Sequence, residues 1–231
     1  MRKLLVTAIV VALPLLADDR SNEALSSSHT DRFTLAAAGA IRLENSIGEV
    51  DIDGWDRPEV EVTVVRSTGR LYDAKARTER QRRLDSVQIT TRQDGNDVVI
   101  STAYPPRNGF THSLSRRSDI GISYRIKAPR ASKLVIDHNS GGVNVSGVGG
   151  DIRATVINGQ ITLTLAPDGQ YAIDAQCKIG DVYSDFKGND RRRRVVGEVF
   201  SRAATAPATN LYLRVRLGDI ILQKLHGPPT D

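Results

Sequence analysis

The sequence predicts an all-β fold of short strands, and two observations carry the prediction. A short phrase returns along the chain: glycine, a polar or small residue, then a β-branched residue opening an apolar alternation. It reads Gly48-Glu49-Val50-Asp51-Ile52, Gly141-Gly142-Val143-Asn144-Val145, Gly150-Asp151-Ile152, Gly159-Gln160-Ile161-Thr162-Leu163, Gly180-Asp181-Val182 and Gly218-Asp219-Ile220-Ile221-Leu222. Each copy sets a residue that tolerates positive φ ahead of a strand with one buried face, so Gly48, Gly141, Gly150, Gly159, Gly180 and Gly218 read as structural turns. The second observation is period: apolar residues alternate through most of the chain, and glycines 141, 150 and 159 stand nine residues apart. One strand and one turn per unit fits a β-solenoid, and it fits a run of tight hairpins equally well.

The N-terminus reads as an export signal. Met1-Arg2-Lys3 is followed by the uncharged stretch Leu4 to Ala17 and then by Asp18-Asp19-Arg20. Such an apolar run is shorter than the roughly 20 residues of a spanning helix and has the proportions of a secretory signal over residues 1–17. An uncleaved N-terminal anchor is the alternative. No later segment is apolar enough to span, so the mature chain is expected to lack a transmembrane span. Residues 18–30 are rich in Ser, Asp and Asn and read as a flexible leader. A single domain is expected over 31–226, with 227–231 as a C-terminal tail.

Within that domain Ile41 and Leu43, Val50 and Ile52, and Val60, Val62 and Val64 alternate around turns at Asn45 to Gly48 and Gly54 to Pro58, with Trp55 in the second turn as a cap on the core. Leu71 to Leu84 holds strong helix formers and almost no β-branched residues, which predicts one short, highly charged helix with a solvated face. Val87 to Ala103 returns to strands, with Asp94-Gly95-Asn96 as a hairpin turn. Tyr104 to Asp119 reads as a long polar loop. Strands then recur to Ala175, break over Lys187 to Arg202, and resume from Leu211 to Leu225.

Charge and cysteine content narrow the class. The formal charge is +5 and the pI about 9.5, a modest excess that Arg2 and Lys3 of the signal exaggerate. Export argues against nucleic acid as a partner and leaves anionic lipid, glycan or protein of the envelope. Cys177 is the single cysteine, so no internal disulfide forms, and its place in the alternation Tyr171, Ile173, Ala175, Cys177 reads as a core side chain.

No catalytic, cofactor or metal site is expected. His29, His112, His138 and His226 lack the spacing of a zinc site, and neither a nucleophile elbow nor a phosphate loop occurs. Glu49, Asp151, Asp181 and Asp219 share the position after the repeat glycine; hydrogen bonds to nearby backbone N–H groups account for acids in turns, and a cation-holding column is the other reading. Tyr183, Tyr212 and Arg214 fall on outward strand positions, which suits stacking on sugars or a protein partner. The tentative ligand-facing residues are Arg116 and Arg117 in the long loop and Arg191, Arg192, Arg193 and Arg194 in the later break, because a guanidinium fork pairs with phosphate or carboxylate.

Two stretches resemble the bacterial β-strand-repeat family of putative adhesins, exported domains of unknown function. They are Leu43 to Asp56 with Val60-Glu61-Val62, and Tyr124 to Pro129 followed by His138 to Ile152. The resemblance covers about residues 31 to 225. It implies an all-β, solenoid-like stack without established catalytic residues, and hence a non-enzymatic, adhesin-like binding or structural module of the periplasm or cell surface. A polysaccharide-active enzyme using carboxylates and an envelope-stress or regulatory partner protein are the alternatives.

Overall fold

The structure is a computed structural model that describes residues 26–35, 39–68, 78, 81–82, 84–104, 120–188, 190–193, 196–204 and 208–225. The strands in chain order are β1 (Ser26–Thr34), β2 (Ala40–Ile47), β3 (Glu49–Trp55), β4 (Glu59–Thr68), β5 (Gln88–Asp94), β6 (Asp97–Ala103), β7 (Ile120–Pro129), β8 (Lys133–Ser146), β9 (Ile152–Leu165), β10 (Tyr171–Ile179), β11 (Val182–Ser184), β12 (Asp190–Arg193), β13 (Glu198–Arg202), β14 (Thr209–Leu217) and β15 (Ile220–Lys224). All belong to one open sheet. The fold is all-β with one short helix, of which residues 78, 81–82 and 84–86 are described. Gln81 Nε2 donates to Asp85 Oδ1 at 2.8 Å along the helix, and Leu84 is buried.

Five tiers form the centre, each bent once at a glycine. They are β2–Gly48–β3, β8 with Gly141 inside it, β9 with Gly159 inside it, β14–Gly218–β15 and β10–Gly180–β11. Neighbouring tiers pair in parallel and in register: Ile136 with Ala154, Ala154 with Leu213 and Leu213 with Ala175 before the bend, and Val50 with Val143, Val143 with Ile161, Ile161 with Ile220 and Ile220 with Val182 after it. Spatial order departs from chain order, because β14 and β15 lie between β9 and the later-stacked β10 and β11.

The bend explains the repeating phrase. Inward residues run Ile136, His138 and then Val143, or Ala154, Val156 and then Ile161, so the glycine lies inside a five-residue step that resets the alternation. Both halves of a tier thereby turn their apolar side chains to one core. At Gly48, Gly141, Gly159, Gly180 and Gly218 φ lies between 104° and 148°, a region closed to side chains. Stacking closes it a second time. A Cβ on Gly141 would collide with the Gly48 carbonyl oxygen, one on Gly159 with that of Gly141, one on Gly218 with that of Gly159, and one on Gly180 with that of Gly218. These glycines bend a continuing strand in place of reversing the chain. Gly150 differs: its φ is not positive, and it lies in the connection between β8 and β9, packed on the Ser132 carbonyl.

The first tier reaches the same phase by another route. Leu43 to Val50 spans as many residues as Ile136 to Val143, but a bulge with Asn45 at φ 56° carries Ser46 inward, where the neighbouring tier places His138. Antiparallel strands close both ends of the stack: β1–β4–β7 at one, with the β5–β6 hairpin beside it, and β13–β12 at the other.

Three expectations are corrected. Residues 26–30, read as flexible leader from their serines, form β1, because β4 offers a full antiparallel backbone ladder from Ser26↔Ser67 to Thr34↔Glu59. Trp55 ends β3 facing outward and does not cap the core; its Nε1 donates to the Glu59 carbonyl at 2.7 Å, with Arg57 and Lys127 over the ring at 5.0 and 5.6 Å. Arg191, Arg192 and Arg193, taken as part of a break, lie on β12 against β13. Residues 1–17, 18–25, 71–77, 105–119, Arg194 and 227–231 lie outside the described residues, and with them the expected signal, most of the leader, most of the long loop with Arg116 and Arg117, and the tail.

A candidate groove and ridge at the glycine bend

Stacked bends create a groove of about 520 Å³ along the glycine column. Its side-chain walls are Glu49, Asn144, Asn158, Gln160, Leu217 and Asp219, drawn from four consecutive tiers, and exposed glycine backbone lies between them. Glu49, Gln160 and Asp219 occupy equivalent positions just after the glycine, and Gly142 holds that position in the tier between Glu49 and Gln160. The missing side chain at Gly142 widens the groove.

The acids there are hydrogen-bonded to backbone. Glu49 Oε1 accepts from Gly142 N at 3.3 Å, and Asp219 Oδ1 accepts from Asp181 N at 2.9 Å, so each carboxylate caps the tier beside it. Asp151 does not share this column. It lies just before β9, where Oδ1 accepts from Asn210 N at 2.8 Å and Asn210 Nδ2 at 3.2 Å. No group of three His, Cys, Asp or Glu side chains among the described residues is arranged to hold a metal ion. The groove's amides are more available. Asn144 Nδ2 donates to Asp51 Oδ1 at 2.9 Å and Gln160 Nε2 to Thr162 Oγ1 at 3.0 Å, which leaves the two amide oxygens outside those bonds, while the Asn158 side chain makes no hydrogen bond among the described residues.

Two titratable groups lie beneath the bend. His138 is 2% exposed, and its Nδ1 lies 2.7 Å from Ser46 Oγ, while Nε2 is buried without a partner. Burial pulls its pKa down to about 4, against the smaller opposing pull of the Ser140, Gly48 and Gly141 backbone, so the ring is neutral at pH 7. Cys177 occupies the equivalent inward position of its tier. Its Sγ donates to the Asp181 carbonyl at 3.2 Å, and burial first, then the Asp219 charge, pushes the thiol up to about 12.

On the outward face before the bend, Tyr212 is already occupied. Arg214 lies 3.8 Å and Arg153 4.6 Å from its ring centroid, and Arg214 Nη2 donates to Asp174 Oδ2 at 2.5 Å. Tyr183 stays exposed, with its hydroxyl 3.5 Å from Asp181 Oδ2, and the Asp181 charge raises its pKa. Sequence reasoning missed Asn144, Asn158 and Gln160, which look like ordinary strand polar residues until the bend brings them together.

No protein-family model matches the sequence, and no curated protein matches it either. Among solved structures, the chain is similar to a putative cell adhesion protein from Clostridium sporogenes, at 11% identity and TM-score 0.50, over 87% of this chain and all of that one. It is also matched, at TM-scores of 0.27 and 0.26, to a putative adhesin from Bacteroides fragilis (10% identity, 86% of this chain, 97% of that one) and a putative lipid binding protein from Parabacteroides distasonis (11% identity, 68% of each). The first likeness is one of fold.

Proposed function

We propose that this protein is a non-enzymatic, adhesin-like binding module of the bacterial envelope, exported to the periplasm or cell surface, whose tiers stack as a short β-solenoid. The observation that carries the reading is the groove itself. Amide and carboxylate side chains from four successive tiers, Glu49, Asn144, Asn158, Gln160 and Asp219, line it, and neighbouring tiers lie about 4.8 Å apart. Such a row of polar side chains and exposed backbone suits an extended, hydroxyl-rich chain, and a glycan is such a ligand. The basic start and apolar run to Ala17 support export. The Clostridium sporogenes protein of like fold is described as a putative cell adhesion protein, and the reading extends that role here.

A panel of envelope and host glycans tests it. Binding without cleavage that weakens on Asn158→Ala and Gln160→Ala supports the proposal. Release of shortened glycans would replace it with the polysaccharide-active alternative, and intact binding in both variants would remove the groove from the site.

A further inference from the structure

In four of the five tiers the two residues preceding the bend glycine form the outer corner, and they form a ridge when tiers stack; in the Gly48 tier Ser46 turns inward instead. In the Gly141 tier they are Asn139 and Ser140, and in the Gly159 tier Ile157 and Asn158. In the Gly218 and Gly180 tiers they become Arg216-Leu217 and Lys178-Ile179. The ridge continues once more, because Gly197 bridges Gly180 in parallel and sets Val196 beside Ile179. Ile157, Leu217, Ile179 and Val196 are 46%, 48%, 48% and 67% exposed, and these four of the large exposed apolar side chains thus line one corner.

Cations accompany them. Cys177 pairs with Val215 and Ile179 with Leu217, which sets Lys178 beside Arg216 on adjacent parallel strands. Like charges at neighbouring ladder positions repel. Neither side chain has a hydrogen-bond or ion-pair partner among the described residues. Between them and β9 lies a shallow cleft of about 290 Å³ whose walls include Thr155, Ile157 and Gln176. The nearest acids in sequence, Asp219 and Asp181, follow the glycine, and Asp219 is turned to the groove, where it caps Asp181 N.

We infer that this apolar, cationic corner is a docking surface for an anionic lipid layer. Lys178 and Arg216 meet headgroup phosphates, and Ile157, Leu217, Ile179 and Val196 enter the boundary between headgroups and acyl chains. The charge complement selects lipid over a second copy of the chain, since a twofold contact would set this cationic ridge against itself. Amphiphilic surfaces of this composition bind by apolar burial plus attraction to anionic lipid. Leu217 also walls the groove, but the inference does not rest on glycan binding, and because vesicle and glycan binding are read separately either can fail alone.

The test is sedimentation of the full chain with vesicles of phosphatidylcholine alone and of phosphatidylcholine with an equal part of phosphatidylglycerol. Two variants accompany it: Lys178→Glu with Arg216→Glu, and Ile179→Ser with Leu217→Ser. All three proteins share the same N-terminus, so any contribution of Leu4 to Ala17 is common to them. The expected result is preferential binding to the anionic vesicles, weakened on the order of tenfold or more by the charge reversal and also weakened by the serine pair, with thermal unfolding unchanged. Equal binding by all three proteins would overturn the inference. So would wild-type dimerisation, read by analytical ultracentrifugation, that the same variants abolish.

Discussion

Two corners of the stack have the same backbone and opposite chemistry. At the Gly141 bend the corner pair is the half-buried Asn139 and Ser140; at the Gly218 bend it is the exposed Arg216 and Leu217. The bend itself requires only the glycine, since positive φ and the neighbouring carbonyl exclude any side chain there. The preceding pair points outward and is under no such demand. The change from amide and hydroxyl to cation and aliphatic along one ridge is therefore not dictated by folding, and it marks where the two ends of the stack differ in what they can touch.

The largest effect that sharpens this division is at the glycines. Gly159→Ala should cost about 3 kcal/mol or more by urea unfolding, because the added methyl meets backbone that cannot move without parting two tiers. Gly95→Ala is the control, with φ of 60° in the β5–β6 hairpin and open space around it. It should cost about 1 kcal/mol.

Beneath the bend, His138 should make stability depend on pH. Its folded pKa of about 4 lies below the ordinary 6.5, so the unfolded chain takes the proton first as pH falls. Full stability is expected above pH 6.5, and about 3 kcal/mol is lost as pH drops from there to 4. His138→Gln, which keeps a partner for Ser46, should flatten that part of the curve measured by urea midpoints. An unchanged slope would mean another group carries it.

Smaller effects follow at satisfied polar groups and at the corners. Tyr124 is fully buried with its hydroxyl 2.7 Å from Thr102 Oγ1, so Tyr124→Phe strands the threonine and should cost about 1 kcal/mol. Exchanging the corners, Asn139→Arg with Ser140→Leu and Arg216→Asn with Leu217→Ser, should alter stability by less than about 0.5 kcal/mol. A larger loss would show that the corner pairs are structural after all.

Much of the strand pattern was legible in the sequence. Period-2 alternation located Val60, Val62 and Val64 and the inward row Tyr171 to Cys177, and Asp94-Gly95-Asn96 marked the β5–β6 turn, because these depend on local spacing and turn chemistry. Pairing order was not legible. Placement of β14 and β15 between β9 and β10 is decided by contacts distant in sequence, and the glycine phrase is the same whichever tier lies next to it. Polar strands such as β1 and β12 escaped because an edge strand is held by its backbone ladder more than by its side chains. The groove and ridge escaped for a related reason. Asn158, Gln160, Lys178 and Arg216 look like solvated strand residues one at a time and gain meaning only when stacked.

The account's central claim is that bend glycines hold the fold while the residues before them are free to serve binding, and Leu217 and Gly218 place both roles on adjacent residues. Urea unfolding of Gly218→Ala and Leu217→Ser, side by side, tests it most directly. The predicted result is a loss of about 3 kcal/mol or more for the first and less than about 0.5 kcal/mol for the second. Equal losses, or a greater loss at Leu217, would contradict it.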